Sequence, residues 1–153
     1  MTRYLKILLL CVLAVHVAGC GSGIKVRGKV TYEEGTPLES GMVIFSSGTE
    51  EFTGKINKDG SYTMGKLKAN SGIPQGTYKV CVRSVEKLTG RTIKLSGGGM
   101  EVDEPERYST VESKFLRADS SGISIAVPGD SYDFSVGKEL PVPPKSSSVR
   151  YVD

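Results

Sequence analysis

The feature that most constrains the fold of this chain is a series of short runs in which apolar and polar side chains alternate. The clearest lie within residues 54–82, on either side of a turn at residues 57–60 and again after Gly76. Alternation with period two places every second side chain on one face of a sheet. The pair Asp59-Gly60 supplies the positive φ angle that a tight turn requires. The pattern predicts the middle of an antiparallel β-sandwich.

Similar runs flank this stretch, at residues 25–32 and 41–46 before it and at residues 123–127 and 132–136 after it. The last two runs are separated by a Pro-Gly-Asp turn and are expected to form a hairpin. Seven short strands joined mostly by turns predict an all-β fold of two sheets around a shared core. The expected core residues are Val26, Val30, Val43, Phe45, Ile56, Tyr62, Tyr78, Val80, Val82, Ile123, Ile125, Val127, Tyr132, Phe134 and Val136.

The length of 153 residues is enough for one ordinary domain, which we place at residues 25–138. The 19 glycines and 7 prolines suit a β-protein with many turns. The polar stretch at residues 86–113 is expected to be a long loop, either functional or partly disordered. Residues 139–153, rich in proline and serine, are expected to form a disordered tail.

The N-terminal residues 1–19 have the pattern of a secretory signal peptide. Two basic residues, Arg3 and Lys6, precede an apolar run from Ile7 to Val15. A helix over residues 7–17 would be about 16 Å long, roughly half of the hydrocarbon core of a bilayer. Such a helix is too short to span the membrane, so we interpret the segment as a signal that is removed.

The sequence Val17-Ala18-Gly19-Cys20 resembles the lipobox of bacterial lipoproteins. The resemblance implies cleavage between Gly19 and Cys20 and attachment of acyl chains, palmitate among them, to Cys20. Two or three chains, at about 0.8 kcal/mol per buried methylene, make a stable anchor. Residues 20–24 would then be a lipidated tether outside the cytoplasm, and Gly21 after the cysteine favours an outer membrane if the cell has one. The alternative is an ordinary secretory signal in which Cys20 is incidental.

Charge and residue inventory exclude several function classes. Removal of Arg3 and Lys6 with the signal lowers the number of basic residues from 20 to 18, against 17 acidic residues. A chain with so little net charge does not have the basic surface that binds nucleic acid. The one histidine, His16, lies in the predicted signal, and Cys81 is the one cysteine left without lipid. Such a chain cannot build a Ser-His-Asp triad, a Cys-His pair or an ordinary zinc site. We therefore predict no enzyme, no cofactor and no metal, and expect Cys81 to be a small buried hydrophobe.

Seven segments share the spacing of turns and strands of a known family. They are Gly28-Lys29-Val30-Thr31-Tyr32, Gly35-Thr36-Pro37-Leu38, Gly41-Met42-Val43-Ile44-Phe45, Asp59-Gly60-Ser61-Tyr62, Ile73-Pro74-Gln75-Gly76-Thr77-Tyr78-Lys79-Val80, Pro105-Glu106-Arg107-Tyr108 and Ser121-Gly122-Ile123. Together they resemble the carboxypeptidase regulatory-like domains of bacterial lipoproteins. The resemblance implies a transthyretin-like, seven-stranded antiparallel Greek-key sandwich that accompanies other activities, and it carries over no catalytic residue.

The expected function is that of a lipid-anchored envelope protein whose non-catalytic sandwich is an interaction or structural module. The contact surface is placed in the predicted loop, at Glu101, Asp103, Glu104 and Tyr108, because loops on a rigid scaffold carry most binding sites. The partner would be an envelope protein.

Three alternatives stay open. One is a carbohydrate-binding module at the cell surface or cell wall, with Tyr108 and Tyr151 stacking on sugar rings. A second is a hydrolase or a cation site that uses the acidic residues of the loop, which a solvated acidic loop also explains. A third is a calcium loop at residues 57–61, where a hairpin turn accounts for the same residues.

Overall fold

The computed structural model describes residues 23–65, 71–97, 100–144 and 150–151. The predicted signal peptide and Cys20 lie outside this part of the chain. The strands are β1 (Arg27–Thr31), β2 (Met42–Ser46), β3 (Glu51–Lys55), β4 (Ser61–Thr63), β5 (Gly76–Arg83), β6 (Glu86–Gly97), β7 (Met100–Ser109), β8 (Ile123–Val127), β9 (Phe134–Ser135) and β10 (Arg150–Tyr151). One 3-10 helix, Ser113–Leu116, precedes β8. The predicted all-β class is confirmed.

The strands form three sheets. Two of them, ordered β4-β1-β9 and β3-β2-β5-β8, contribute side chains to one buried cluster. We call these two sheets the body, and their arrangement is consistent with a β-sandwich. The third sheet, ordered β10-β6-β7, contributes to that cluster none of its strand residues whose side chains the structure describes, and it is called the arm.

A chain of aromatic rings crosses the core of the body. Phe52 on β3 contacts Tyr78 on β5, and Tyr78 contacts Phe45 on β2, with ring centroids 5.8 Å apart in both pairs. Phe45 then meets Tyr62 of the facing sheet at 6.3 Å, and Tyr62 meets Phe134 at 6.0 Å. Tilted and edge-on pairs at such distances add to the energy of simple burial. The contact between Phe45 and Tyr62 therefore ties one sheet to the other.

Most of the predicted core is buried, but four of its members, Ile123, Ile125, Tyr132 and Phe134, are only partly so. A second set of core residues escaped prediction because they lie at strand ends, at turns or outside the runs used for the prediction. These residues are Tyr32, Leu38, Phe52, Met64, Ile73, Val85, Val111 and Phe115.

The predicted hairpin of the last two runs is wrong. β8 pairs antiparallel with β5, with Ile123 opposite Val80, whereas β9 pairs parallel with β1, with Phe134 opposite Val30. The segment between β8 and β9 crosses from the four-stranded sheet to the three-stranded sheet, because its hydrogen-bond partners lie on the three-stranded sheet. The Tyr62 hydroxyl donates to the carbonyl of Tyr132 at 2.6 Å. The expectation of purely antiparallel pairing is wrong at this one strand pair of the body.

The turn at residues 57–60 forms as predicted, but it is a corner between sheets. The Gly60 amide donates to the Asn57 carbonyl at 2.9 Å, with Gly60 at φ 81°. An added Cβ would come within 2.5 Å of the Val30 carbonyl oxygen, so this position requires glycine. The Asp59 carboxylate accepts hydrogen bonds from Ser61, which hold the pKa of Asp59 below its ordinary value. The strands on either side, β3 and β4, belong to different sheets.

An ion pair shields two apolar residues on the outer face of the four-stranded sheet. The guanidinium of Arg83 donates to both carboxylate oxygens of Glu51, at 2.9 and 3.0 Å. Glu51 is opposite Ser46 and Arg83 is opposite Met42, so the line between them crosses β2 at Ile44. Ile44 and its neighbour Cys81 are almost fully buried beneath it, which confirms the prediction for Cys81. Burial raises the pKa of the Cys81 thiol.

Replacement of Phe45 by alanine tests how much the contacts between the aromatic rings stabilise the body. Phe45→Ala is expected to lower the free energy of unfolding by about 3 to 5 kcal/mol, because a cavity opens between the two sheets. The measurement is urea unfolding followed by circular dichroism. Met42→Ala, on the outer face of the same strand and 37% exposed, serves as the matched control. Similar losses in the two variants would contradict the assignment of Phe45 to the centre of the core.

The buried tyrosines predict a loss of stability in alkali. Burial raises the pKa values of Tyr32, Tyr62 and Tyr78 above the ordinary value of 10.0. The unfolded chain therefore releases these protons at lower pH than the folded protein does. The free energy of unfolding should be unaffected by these groups below about pH 10 and fall as the pH rises above it. Unfolding measured across this range, with tyrosinate absorbance, should show a shallower fall in Tyr62→Phe than in the natural protein. An unchanged slope would contradict this account.

Candidate functional site

The segment predicted as a loop at residues 86–113 is instead mostly a long antiparallel hairpin. β6 has twelve residues and β7 has ten, and they are paired from Glu86 and Ser109 to Gly97 and Met100. The prediction was wrong because the apolar alternation is short, with Ile93 and Leu95 on β6 and Met100 and Val102 on β7, and lies within a stretch of charged residues and glycines. A twelve-residue strand extends over about 36 Å at roughly 3.3 Å per residue.

The arm starts at one end of the body. At its base, the Thr110 amide donates to the Val85 carbonyl at 3.2 Å, and the Tyr32 hydroxyl donates to Thr110 Oγ1 at 2.7 Å. Beyond the base, the described part of β6 packs against β7 and β10, and the described parts of β6 and β7 make at most minor contact with the strands of the body. The arm therefore projects from this end, which we call the far end.

The described chain begins at the opposite end of the body. Ile24 exchanges two backbone hydrogen bonds with Ile73, at 2.8 and 2.9 Å. β1 and β5 both start near this pair and run towards the base of the arm. We call this the near end. The distance from Ile24 to Tyr32, eight residues along an extended chain, is about 26 Å. Ile24, the last residue of the predicted lipidated tether at residues 20–24, is thus bonded to the body, and residues 20–22 lie outside the described part of the chain.

A buried ion pair joins the two long strands of the arm. The pairing register shifts between Leu88 and Thr92, where Gly90 has φ 77°. This irregularity brings Arg91 Nε to 2.7 Å from Glu106 Oε2, and Thr89 donates to the same oxygen at 3.0 Å. The Glu106 side chain is only 7% exposed. The expectation of a uniformly solvated acidic segment is therefore wrong at Glu106.

The C-terminal segment lies along β6. Lys87 Nζ is 2.6 Å from Glu139 Oε1, and this hydrogen bond raises the pKa of Lys87. Arg91 donates to the Pro143 carbonyl at 2.9 Å, and β10 continues the path as a strand parallel to β6. The predicted disordered tail is therefore wrong for residues 139–144 and 150–151. Residues 145–149 and 152–153 lie outside the described part of the chain.

The predicted contact residues do not form one cluster. Asp103 is opposite Lys94 on one face of the arm, whereas Glu104 is opposite Ile93 on the other face. Tyr108, opposite Lys87, is partly buried on the same face as Glu104. Glu101 is described by its backbone alone, which pairs with Ser96. Asp103 and Glu104 are exposed, and the two residues reach solvent from opposite faces.

The two strands of the hairpin carry opposite charge. The basic residues Lys87, Arg91 and Lys94 lie on β6, and the acidic residues lie mainly on β7. Opposite charges across a strand pair stabilise it. This partition around the glycines at 97–99 is the sequence signal that would have predicted the hairpin. It would also have identified Arg91 and Glu106 as partners.

The outer edge of β7 is suited to staying unpaired. No strand that the structure describes pairs with this edge. Pro105 lies within β7, where it has no N–H group to offer, and charged residues surround it. Proline and charge on an edge strand oppose association through backbone hydrogen bonds. The arm therefore offers its faces, and not this edge, as contact surfaces.

Neither a metal centre nor an unsatisfied polar pocket is found within the described ranges. No three His, Cys, Asp or Glu side chains there are grouped closely enough to hold a metal ion. Every buried side-chain nitrogen or oxygen there has a hydrogen-bond partner. None of the helices in the same ranges has the length and apolar character needed to cross a bilayer.

No protein-family model, curated protein or solved structure matches this chain. The resemblance to carboxypeptidase regulatory-like domains stays a prediction.

The ion pair of the arm is testable without any ligand. Glu106→Gln should weaken the bonds that hold β6, β7 and the C-terminal segment together, because Arg91 loses a charged partner. Hydrogen bonds to charged groups contribute about 1.5 to 3 kcal/mol. Amide exchange at residues 139–144 and 87–92 should accelerate accordingly, with the body unchanged. Glu104→Gln, exposed on the same face, is the control. Equal exchange in both variants would contradict a structural role for Glu106.

Proposed function

We propose that this chain is a lipid-anchored protein of the bacterial cell envelope whose non-catalytic body holds the arm out to a protein partner. The observation that carries the proposal is the position of the arm. It leaves the body at the far end, while the chain enters the body at the near end, beside Ile24 and Ile73.

The anchor of the proposal is Cys20, in the lipobox-like sequence Val17-Ala18-Gly19-Cys20. The three residues from Cys20 to Gly23 span at most about 10 Å. Acyl chains on Cys20 would therefore hold the near end of the body beside the membrane surface. Gly21 favours an outer membrane in a cell that has one.

In this orientation the body is a spacer. Its length of about 26 Å separates the membrane from the base of the arm, and the arm adds up to about 36 Å. A partner on the arm is then engaged well above the lipid headgroups. The partner is inferred to be a protein of the envelope, because the arm presents a mixed-charge surface with the exposed apolar side chain of Leu88.

The finer fold belongs to the same proposal. The order of turns and strands that resembles carboxypeptidase regulatory-like domains supports a transthyretin-type Greek-key body of seven strands. Domains of that kind accompany other activities, which agrees with a chain that has no histidine after its predicted signal.

The test places a photo-crosslinking amino acid at one position in the cell. At Leu88 or Asp103 on the arm, we expect adducts with one reproducible envelope protein. At Asp130, exposed near the end of β8 at the near end, we expect none with that protein. A shortened arm that lacks residues 95–102 and is closed by Asn-Gly between Lys94 and Asp103 should lose the adduct and keep the stability of the body.

Two outcomes would contradict separate parts of the proposal. Adducts of equal yield from Asp130 and Leu88 would remove the arm as the contact surface. Mass spectrometry of the N-terminal peptide tests the anchor independently: a peptide that starts elsewhere than Cys20, or carries no acyl mass, would remove the lipid.

A further inference from the structure

A polar groove lies on the outer face of the four-stranded sheet, away from the arm. Its volume is about 600 Å³. The segment that follows the 3-10 helix forms one wall, and the turn between β2 and β3 forms an end. The polar and charged residues that line it include Ser46, Glu51, Lys79, Arg117, Asp119 and Ser124.

The floor of the groove is a row of side chains, one from each strand. Ser46 is opposite Glu51 on one side and Lys79 on the other, and Lys79 is opposite Ser124. Neighbouring strands are about 4.8 Å apart, so hydrogen-bonding groups repeat at this interval across the sheet. The interval is close to the length of one sugar unit in an extended glycan. A chain of sugars lying across the strands would therefore meet a polar side chain at each unit.

Two basic side chains of the groove, Lys79 and Arg117, are accessible to a ligand. Lys79 Nζ is 2.8 Å from Asp119 Oδ1, but the two side chains are 62% and 82% exposed. Exposed pairs of this kind contribute little to stability and open readily. Arg117, on the rim, makes no side-chain hydrogen bond or ion pair with any other described residue, although its charge helps to lower the pKa of Asp119 after the larger effect of Lys79. Lys79 and Arg117 can therefore both turn to an incoming anion.

The third cation of the groove has a fixed role. Arg83 is held by two hydrogen bonds to Glu51 and covers Ile44 and Cys81. It borders the groove and keeps its floor closed.

We propose that this groove binds an acidic glycan, a sugar chain that carries carboxylates, with Lys79 and Arg117 on the carboxylates and Ser46 and Ser124 on sugar hydroxyls. Among the residues that the structure describes, no aromatic side chain lines the groove, so stacking of a neutral sugar has no platform there. An apolar peptide has no apolar floor to bury. The site is on the side of the body and does not depend on the anchor or on the arm.

The experiment measures binding of detergent-solubilised full-length protein to polygalacturonate, a uronate chain. Dextran serves as a neutral glycan, polyglutamate as a carboxylate chain without hydroxyls, and inorganic phosphate as a free oxyanion. We expect polygalacturonate to bind best and its affinity to fall with salt. Arg117→Gln and Lys79→Gln should each raise the Kd by about tenfold or more, the loss of one charge-assisted hydrogen bond. Lys58→Gln, in the turn at residues 57–60, should leave the Kd unchanged.

Several results would overturn the proposal. Equal binding of polyglutamate would show that charge alone is recognised, and equal binding of dextran would show that charge is irrelevant. Full competition by inorganic phosphate would assign the groove to small anions. Loss of affinity in Lys58→Gln equal to that in Arg117→Gln would show non-specific attraction, and no binding of polygalacturonate would remove the glycan altogether.

Discussion

The contact between Phe45 and Tyr62 is the interaction on which the body depends, because it is where the aromatic chain passes from one sheet to the other. A buried tyrosine must also satisfy its hydroxyl group. Tyr62 does so on the carbonyl of Tyr132, Tyr78 on the carbonyl of Pro74, and Tyr32 on Thr110 at the base of the arm. Each hydroxyl thus attaches a connecting segment to the core. The same side chains that fill the interior position the crossing to β9, the bend before β5 and the arm.

The sequence predicts the parts of this fold in which only one face of a strand meets the core. The alternation at β1, β3 and β5 identified those strands because apolar and polar faces are largely distinct there, and β2 was identified although Met42 and Ile44 make its outer face apolar as well. The strands β6 and β7 were not identified, because their apolar alternation is short and charged residues dominate the stretch. Sequence reasoning also failed for β8 and β9, because alternation shows that a residue faces inward but not which sheet the strand joins. Val80 pairing with Ile123, and Val30 with Phe134, are long-range choices that local pattern does not encode.

The candidate site shows the same division. Sequence reasoning located the contact surface in residues 86–113, the segment that forms the arm, but treated its acidic residues as one group. The register separates Asp103 from Glu104 and buries Glu106 against Arg91. Asp103 and Glu104 are separated because consecutive residues of a strand face opposite ways. The contact between Arg91 and Glu106 depends on the shift near Gly90, where three residues of one strand face a single residue of the other. The groove on the outer face was invisible to sequence reasoning for another reason: its row of side chains is assembled from four strands that are far apart in the chain.

The parallel pairing of β1 with β9 has a consequence for how the protein folds. Lys29 and Asp133, which are hydrogen-bonded beside this pair, are 104 residues apart in sequence. Contacts of such separation are slow to form, since a long loop must close before they contribute. On that side β1 has no partner until the residues near Phe134 reach it. The first strand of the body is therefore completed by one of the last, so this side of the core closes late in folding.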